Sequence, residues 1–192
     1  MTGEDAPDGP DMTGPSPDDH RIGHQIDDRA IAAHVPRLRR YATALVGNRP
    51  DADDLVQDCV EKALANRHAL RDPSRLGGWL MSILHNLHIS GLRGRRRRGA
   101  EIPVEELADD LALSAPPADR GAVRDFVRAF GQLTDEHRTV LLLTGMEGLS
   151  YRETAEVLEL PIGTVMSRLA RARERLRVLL DGGAEQAVRR IK

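Results

Sequence analysis

One segment constrains this chain more than any other: SYRETAEVLELPIGTVMSRLARAR, residues 150–173. Ser150 followed three residues later by Glu153 forms a capping box, because hydroxyl and carboxylate each satisfy a backbone N–H that the first helical turn leaves unpaired. A helix therefore starts at Tyr151, with Ala155 and Leu158 facing inward, and the chain turns through residues 159–161. The next helix follows Ile162 and Gly163. In it Val165, Leu169, Ala172, Leu176 and Leu179 share one face at the spacing of a buried stripe. The other face carries Ser167, Ala170, Arg171 and Glu174, with Arg168, Arg173 and Arg175 at its flanks. Arginine periodicity by itself is explained by a solvated charged face. Cap, turn and stripe together describe a helix-turn-helix. In that geometry one helix braces and the second enters a major groove, small side chains permitting approach and arginines reaching bases and phosphates.

A second arginine block, RGRRRR at residues 93–98, stands far upstream. The formal net charge of -2 conceals this segregation, since residues 1–28 and 101–119 are acidic while arginines crowd residues 93–98 and 168–177. Lys62 and Lys192 are the only lysines. Positive charge is thus almost entirely guanidinium, whose planar fork suits phosphate oxygens and guanine edges. The same scarcity excludes a Gly-Lys-Ser/Thr phosphate loop and argues against a Schiff-base lysine. Cys59 is the sole cysteine, so an internal disulfide and a thiolate zinc cluster are excluded and a reducing compartment is expected. Residues 1–26 are acidic and rich in Pro and Gly, with too few apolar side chains to offset the entropy of ordering, so they read as a disordered extension. They lack the apolar core of a signal peptide, and no run in the sequence approaches the length of a membrane span. A cytoplasmic protein without membrane insertion is expected.

Aromatics make up only 3% of the residues, so the cores must be built from Leu, Val, Ile and Ala, which favours small helical units. Ile31, Val35, Leu38, Ala42 and Leu45 recur at helical spacing and stop at Gly47, with Pro36 marking a kink or a restart. Asp51, Asp53 and Asp54 open a second helix, where acids suit the helix dipole, and Leu55, Cys59 and Ala63 form its stripe. RDPSRLGGW reads as a loop. A third helix from about Gly78 buries Trp79, Leu80, Ile83, Leu84 and Leu87 before running into the arginine block. Residues 99–120 read as an acidic, flexible linker, and apolar periodicity resumes through Val123, Phe126, Val127, Phe130 and Leu133. The expected fold is all-α, with two small helical domains at residues 27–98 and 121–181, the linker between them, and a C-terminal tail at 182–192.

LVQDCVEKAL, GGWLMSILHNLHI followed by RRRR, and EGLSYRETAEVLELPIGTVMSRLARARERL together resemble the extracytoplasmic-function group of the sigma-70 family of bacterial transcription initiation factors. The resemblance covers roughly residues 29–98 and 123–180, in order. It implies that the first block is a sigma-2 domain, which binds the polymerase clamp and opens the minus-10 element, and the second a sigma-4 domain, which docks on the minus-35 element and the polymerase flap. It implies core-polymerase contacts at Asp51, Asp54, Leu55, Gln57, Asp58 and Glu61. It implies minus-10 contacts at Leu70, Leu76, Trp79 and Asn86 and along Arg93, Arg95, Arg96, Arg97 and Arg98, where unstacked bases and a single strand must be held. Members often carry aromatics near Leu70 and Leu76, so aliphatic contact would here replace ring stacking. For the minus-35 element it implies the reader helix with Thr164, Met166, Ser167, Arg168, Ala170, Arg171, Arg173 and Arg175. Relatives are commonly restrained by an anti-sigma factor, and a stress or environmental response is the expected setting.

His85 and His88 stand three residues apart, but no third ligand of suitable type is evident nearby, so polar helix positions explain them and no metal is expected. Cys59 falls on an apolar stripe, where a small buried hydrophobe is the simpler reading than a redox sensor. No nucleophile, base and orienter trio can be assembled, so the chain is expected to be no enzyme and to need no cofactor. Two rivals stay open: a self-standing helix-turn-helix regulator that binds duplex DNA tightly without polymerase, and a protein-interaction module, such as an anti-sigma antagonist or sigma mimic, whose arginines meet acidic proteins.

Overall fold

In the computed structural model residues 27–96 and 116–190 are described, with side chains over 27–91 and 116–182. The expected N-terminal extension, Arg97, Arg98 and most of the linker lie outside these. Three helices come first: α1 (Asp28–Val46), α2 (Arg49–Ala65) and α3 (Leu76–Arg96). Four more complete the chain: α4 (Arg120–Gly131), α5 (Asp135–Leu141), α6 (Tyr151–Leu158) and α7 (Ile162–Arg190). A π-helical turn, Leu142–Met146, continues α5. Among the described residues there is no strand.

Local chemistry sets the helix ends. The Asp27 side chain accepts from the Arg29 N–H at the start of α1, and Gly47 ends it at φ 84°, its N–H donating to the Thr43 carbonyl. That left-handed conformation is the one glycine adopts without a Cβ penalty. Pro36 sits inside α1 without interrupting it, so of the expected kink or restart no restart occurs there. Asn48 caps α2 by accepting from the Asp51 N–H. A short 3-10 turn, Arg67–Ala69, follows α2, the segment expected as a plain loop holds a second, Pro73–Arg75, and α3 begins at Leu76, ahead of the expected Gly78. Gly77 lies beside α1, where a Cβ would make ordinary contact with the ends of the Arg37 and His34 side chains at 3.4 and 3.5 Å. At the other end, α7 runs on to Arg190, so the expected tail from residue 182 is helical through 190.

In the first unit the core is Ile31, Leu38, Tyr41 and Leu45 of α1 against Val56, Cys59 and Ala63 of α2 and Leu80, Met81 and Leu84 of α3. In the second, Val140 and Leu143 cluster with Val157 of α6 and Leu169 and Ala172 of α7, and Val165 of α7 is buried too. The sequence predicts two modules on a loose tether, yet the units pack directly: α3 lies on α6, α1 touches the π turn, and buried apolar residues of both units join in one cluster. The physical reason is that each small unit has apolar side chains to cover, among them Trp79 and Leu149, both partly buried here, and apolar area removed from water stabilises by about 25 cal/mol per Å².

Candidate nucleic-acid interface

The reader helix is positioned from Ser150 onward. Ser150 Oγ accepts from the Glu153 N–H at 3.2 Å, and a Glu153 carboxylate oxygen accepts from the Ser150 N–H at 2.8 Å. These bonds hold the Glu153 carboxyl below its ordinary range, with Ser150's side chain the largest cause. Glu159 takes the left-handed conformation, φ 53°, that reverses the chain after α6. The N–H groups of Thr164 and Val165 donate to the Pro161 carbonyl at 2.8 and 3.2 Å and start α7.

Val165, Leu169 and Ala172 are buried on the inner face of α7, which leaves the opposite face outward. Met166 (52% exposed), Ser167, Ala170, Arg171, Arg173 and Arg175 are exposed, whereas Thr164 and Arg168 are half-buried. Arg168 lies 3.4 Å from Glu136 and braces α7 against the start of α5. Ser167 Oγ donates to the Thr164 carbonyl at 3.0 Å, leaving its lone pairs to accept. Arg177, on the same helix, bonds Glu174 and Asp181 at 2.9 and 2.8 Å and is spent on the helix itself. Arg171 and Arg175 instead stand beside a shallow cleft with Ala170, Thr134 and His137. Small outward side chains between guanidinium groups are what close approach to a groove requires.

On the first unit, Leu70 and Trp79 come together, half-buried, in a cleft of about 430 Å³ that also presents Ser74, Arg75, Gly78 and Ser82. Asn86 is exposed further along α3, whose last turn carries Arg93, Arg95 and Arg96 in its backbone. Leu76 is a correction: only 5% exposed, it anchors the start of α3 in the core and has no surface for DNA. On α2, Asp54, Gln57, Asp58 and Glu61 form an exposed strip, Gln57 Nε2 donating to Glu61 at 2.9 Å. Asp51 is half-buried and accepts from Asn48 Nδ2 at 3.2 Å. Leu55 is buried on the stripe of α2, as its spacing predicts, so in place of the polymerase contact the resemblance implies it supports that strip from beneath.

His88 is buried, and His85 is half-buried where α3 faces the second unit. Burial lowers the His85 pKa, Glu159 opposes that shift and Arg168 adds to it. Among the described residues no three His, Cys, Asp or Glu side chains are grouped to hold a metal. Cys59 is buried, its thiol donating to the Leu80 carbonyl at 3.5 Å and pushed up to about 12 by burial.

Sequence reasoning missed the residues that join the units. Arg37 Nε donates to the Glu147 carboxylate, Arg37 Nη2 donates to the Glu147 carbonyl at 3.0 Å, and Arg75 Nη2 donates to Glu156. One signal was present, an acid inside the apolar run VLLLTGMEGL, since a buried carboxylate needs a cation.

Two helical units, the second a helix-turn-helix with an arginine-bearing outward face, define a DNA-binding protein of the transcription-factor class. The chain matches the family models described as "Sigma2 domain of PhyR" over residues 31–85 and "Sigma-70, region 4" over residues 124–176. It is 37% identical over 171 residues to the ECF RNA polymerase sigma factor EcfG of Rhodopseudomonas palustris, covering 84% of this chain and 92% of that one. It is 30% identical over 150 residues to the RNA polymerase sigma factor CarQ of Myxococcus xanthus, covering 78% and 86%. Among solved structures it resembles the sigma factor RpoE in complex with the anti-sigma factor NepR from Bartonella quintana, with TM-score 0.66, 33% identity and 80% and 95% of the two chains covered. The chain belongs to the extracytoplasmic-function sigma factors, which are non-catalytic transcription initiation factors. Among the described residues no helix is long and apolar enough to cross a membrane.

Proposed function

We propose that this chain recruits core RNA polymerase to a class of promoters in the cytoplasm and helps melt the start region, with no catalysis of its own. The observation that carries the reading is the outward face of α7, where Ser167, Ala170 and Arg171 are exposed beside Arg175 while the opposite stripe is buried. In this reading α7 takes the minus-35 element, the cleft with Leu70 and Trp79 and the neighbouring Asn86 take the minus-10 strand, and the arginines closing α3 follow the backbone. Asp54, Gln57, Asp58 and Glu61 face the polymerase clamp. An anti-sigma factor restrains the chain, as one accompanies the RpoE of the solved complex, and its release answers a stress or environmental signal.

The test is run-off transcription with purified core polymerase on the DNA upstream of the protein's own gene. Specific transcripts are expected with the wild-type chain. Charge reversal at both Asp54 and Asp58 should remove them while circular dichroism stays helical. Tight, selective duplex binding by the free chain without polymerase-dependent transcription would instead support a self-standing regulator.

A further inference from the structure

The two units meet across the face that strand capture needs. Leu70, Arg75 and Trp79 form one wall of the 430 Å³ cleft, and Glu153, Glu156 and Val157 of the second unit form the other. Across it Arg75 donates to the Glu156 carboxylate. A separate contact joins the units beside α1. The Glu147 side chain is 0% exposed, its carboxylate accepts from Arg37, and Arg40 Nη2 stands 3.8 Å from the other oxygen. Withdrawing a carboxylate from water is costly unless cations and donors replace its hydration. Here those cations come from the other unit, so separation would undo the arrangement. A carboxylate and a phosphate are alike to a guanidinium, which receives either oxyanion with the same fork of N–H donors.

We propose that α6 is an internal occupant of the strand-capturing face, with Glu156 standing on Arg75 where a strand phosphate would lie, and that the Arg37–Glu147 clasp holds this closed form until a competing partner parts the units. The proposal rests on reading the first unit as the minus-10 surface. In the closed form the outward residues of α7 and Asn86 stay exposed, so the upstream reader is presented while the cleft holding the half-buried Leu70 and Trp79 is walled by α6. Apparent affinity for a single strand then falls in proportion to the open fraction.

The full chain carrying Lys62→Cys and Asp125→Cys, both exposed positions on opposite units, reports separation by energy transfer between two dyes. The buried Cys59 stays unlabelled under native conditions. Arg37→Glu and Glu147→Arg should each lower transfer and tighten binding of a short single-stranded DNA, taken from the non-template strand upstream of the protein's own gene, by about tenfold or more. The double exchange should restore both readouts. Glu156→Gln, at an exposed position safe for folding, should tighten strand binding by about twofold or more. Adding Arg75→Ala should cancel that gain. Folded single variants with wild-type transfer or wild-type strand affinity would overturn the proposal. If those variants fail to fold, an unchanged affinity in Glu156→Gln overturns it instead. Absence of wild-type transcription with core polymerase would sink the functional reading whatever the transfer shows, whereas intact transcription with unchanged transfer sinks the closure alone.

Discussion

Arg37→Ala is expected to destabilise the chain more than Glu147→Ala, although both delete the same ion pair. Removing one partner of a buried pair typically costs about 3–5 kcal/mol, because the survivor is left charged in a poor solvent. Two features of the structure reduce that figure for Arg37: its own side chain is 34% exposed, so water can enter behind it, and Arg40 remains 3.8 Å from the carboxylate. About 2–3 kcal/mol is left for Arg37→Ala. Glu147→Ala strands nothing, since Arg37 and Arg40 are 34% and 63% exposed and turn to water, and Arg37 still donates to the carbonyl of residue 147. Its cost is the worth of ion pairs whose cations already reach water, about 1 kcal/mol. Urea titrations of both full-length variants, monitored by circular dichroism, measure the two values directly. Equal losses, or a larger loss for Glu147→Ala, would refute the assignment of a desolvated carboxylate held by α1. A second, earlier transition in Arg37→Ala would show the units parting before either unfolds.

Arg171→Ala should cost about 1–3 kcal/mol of discrimination at one upstream base position, measured by holoenzyme binding across single-base promoter variants; a uniform loss on every sequence would make it a phosphate contact. Ser150→Ala should lower stability by about 1 kcal/mol through loss of the cap, and Ser150→Thr should recover most of it in thermal melts. Burial lowers the His85 pKa below the ordinary 6.5, so the folded chain binds fewer protons than the unfolded one under acidic conditions. Stability should therefore fall as pH drops below about 6.5, and His85→Gln should flatten that slope in denaturation curves taken from pH 7 to 5. An unchanged slope would place the acid sensitivity elsewhere.

The features legible in the sequence were local ones. The capping box at Ser150, the stop at Gly47 and the stripe of Val165, Leu169 and Ala172 each depend on residues within a few positions of one another, and each stands as expected. The start of α3 was read late because paired glycines favour loops, whereas here Gly77 and Gly78 both lie inside the first turn of the helix. On α6 the inward residues were read as Ala155 and Leu158; Leu158 is buried and Ala155 half-buried, and Thr154 and Val157 are buried because that helix packs on α7 and α3. Phe126 keeps the apolar period of α4 yet is 45% exposed, stacked on Phe130 with ring centroids 5.8 Å apart. Leu55 and Leu76 took contact roles from the resemblance alone, whereas both are buried and the apolar stripe had already placed Leu55 inside. The pairing of Arg37 with Glu147 spans 110 positions, a distance over which no local pattern speaks.

The π turn at Leu142–Met146 bears on how the two units stay in register. The Glu147 N–H donates to the Leu142 carbonyl at 2.9 Å, five residues back, where an α-helix would reach only four. Such a turn amounts to one residue inserted into an otherwise ordinary helix. Excising a single residue there would rotate Glu147 and the chain beyond it by about 100° relative to α1, swinging the carboxylate away from its guanidinium with every side chain of the pair still present. Contact between the two halves of this chain is therefore a matter of counting as well as chemistry, open to loss or recovery through a one-codon change in length.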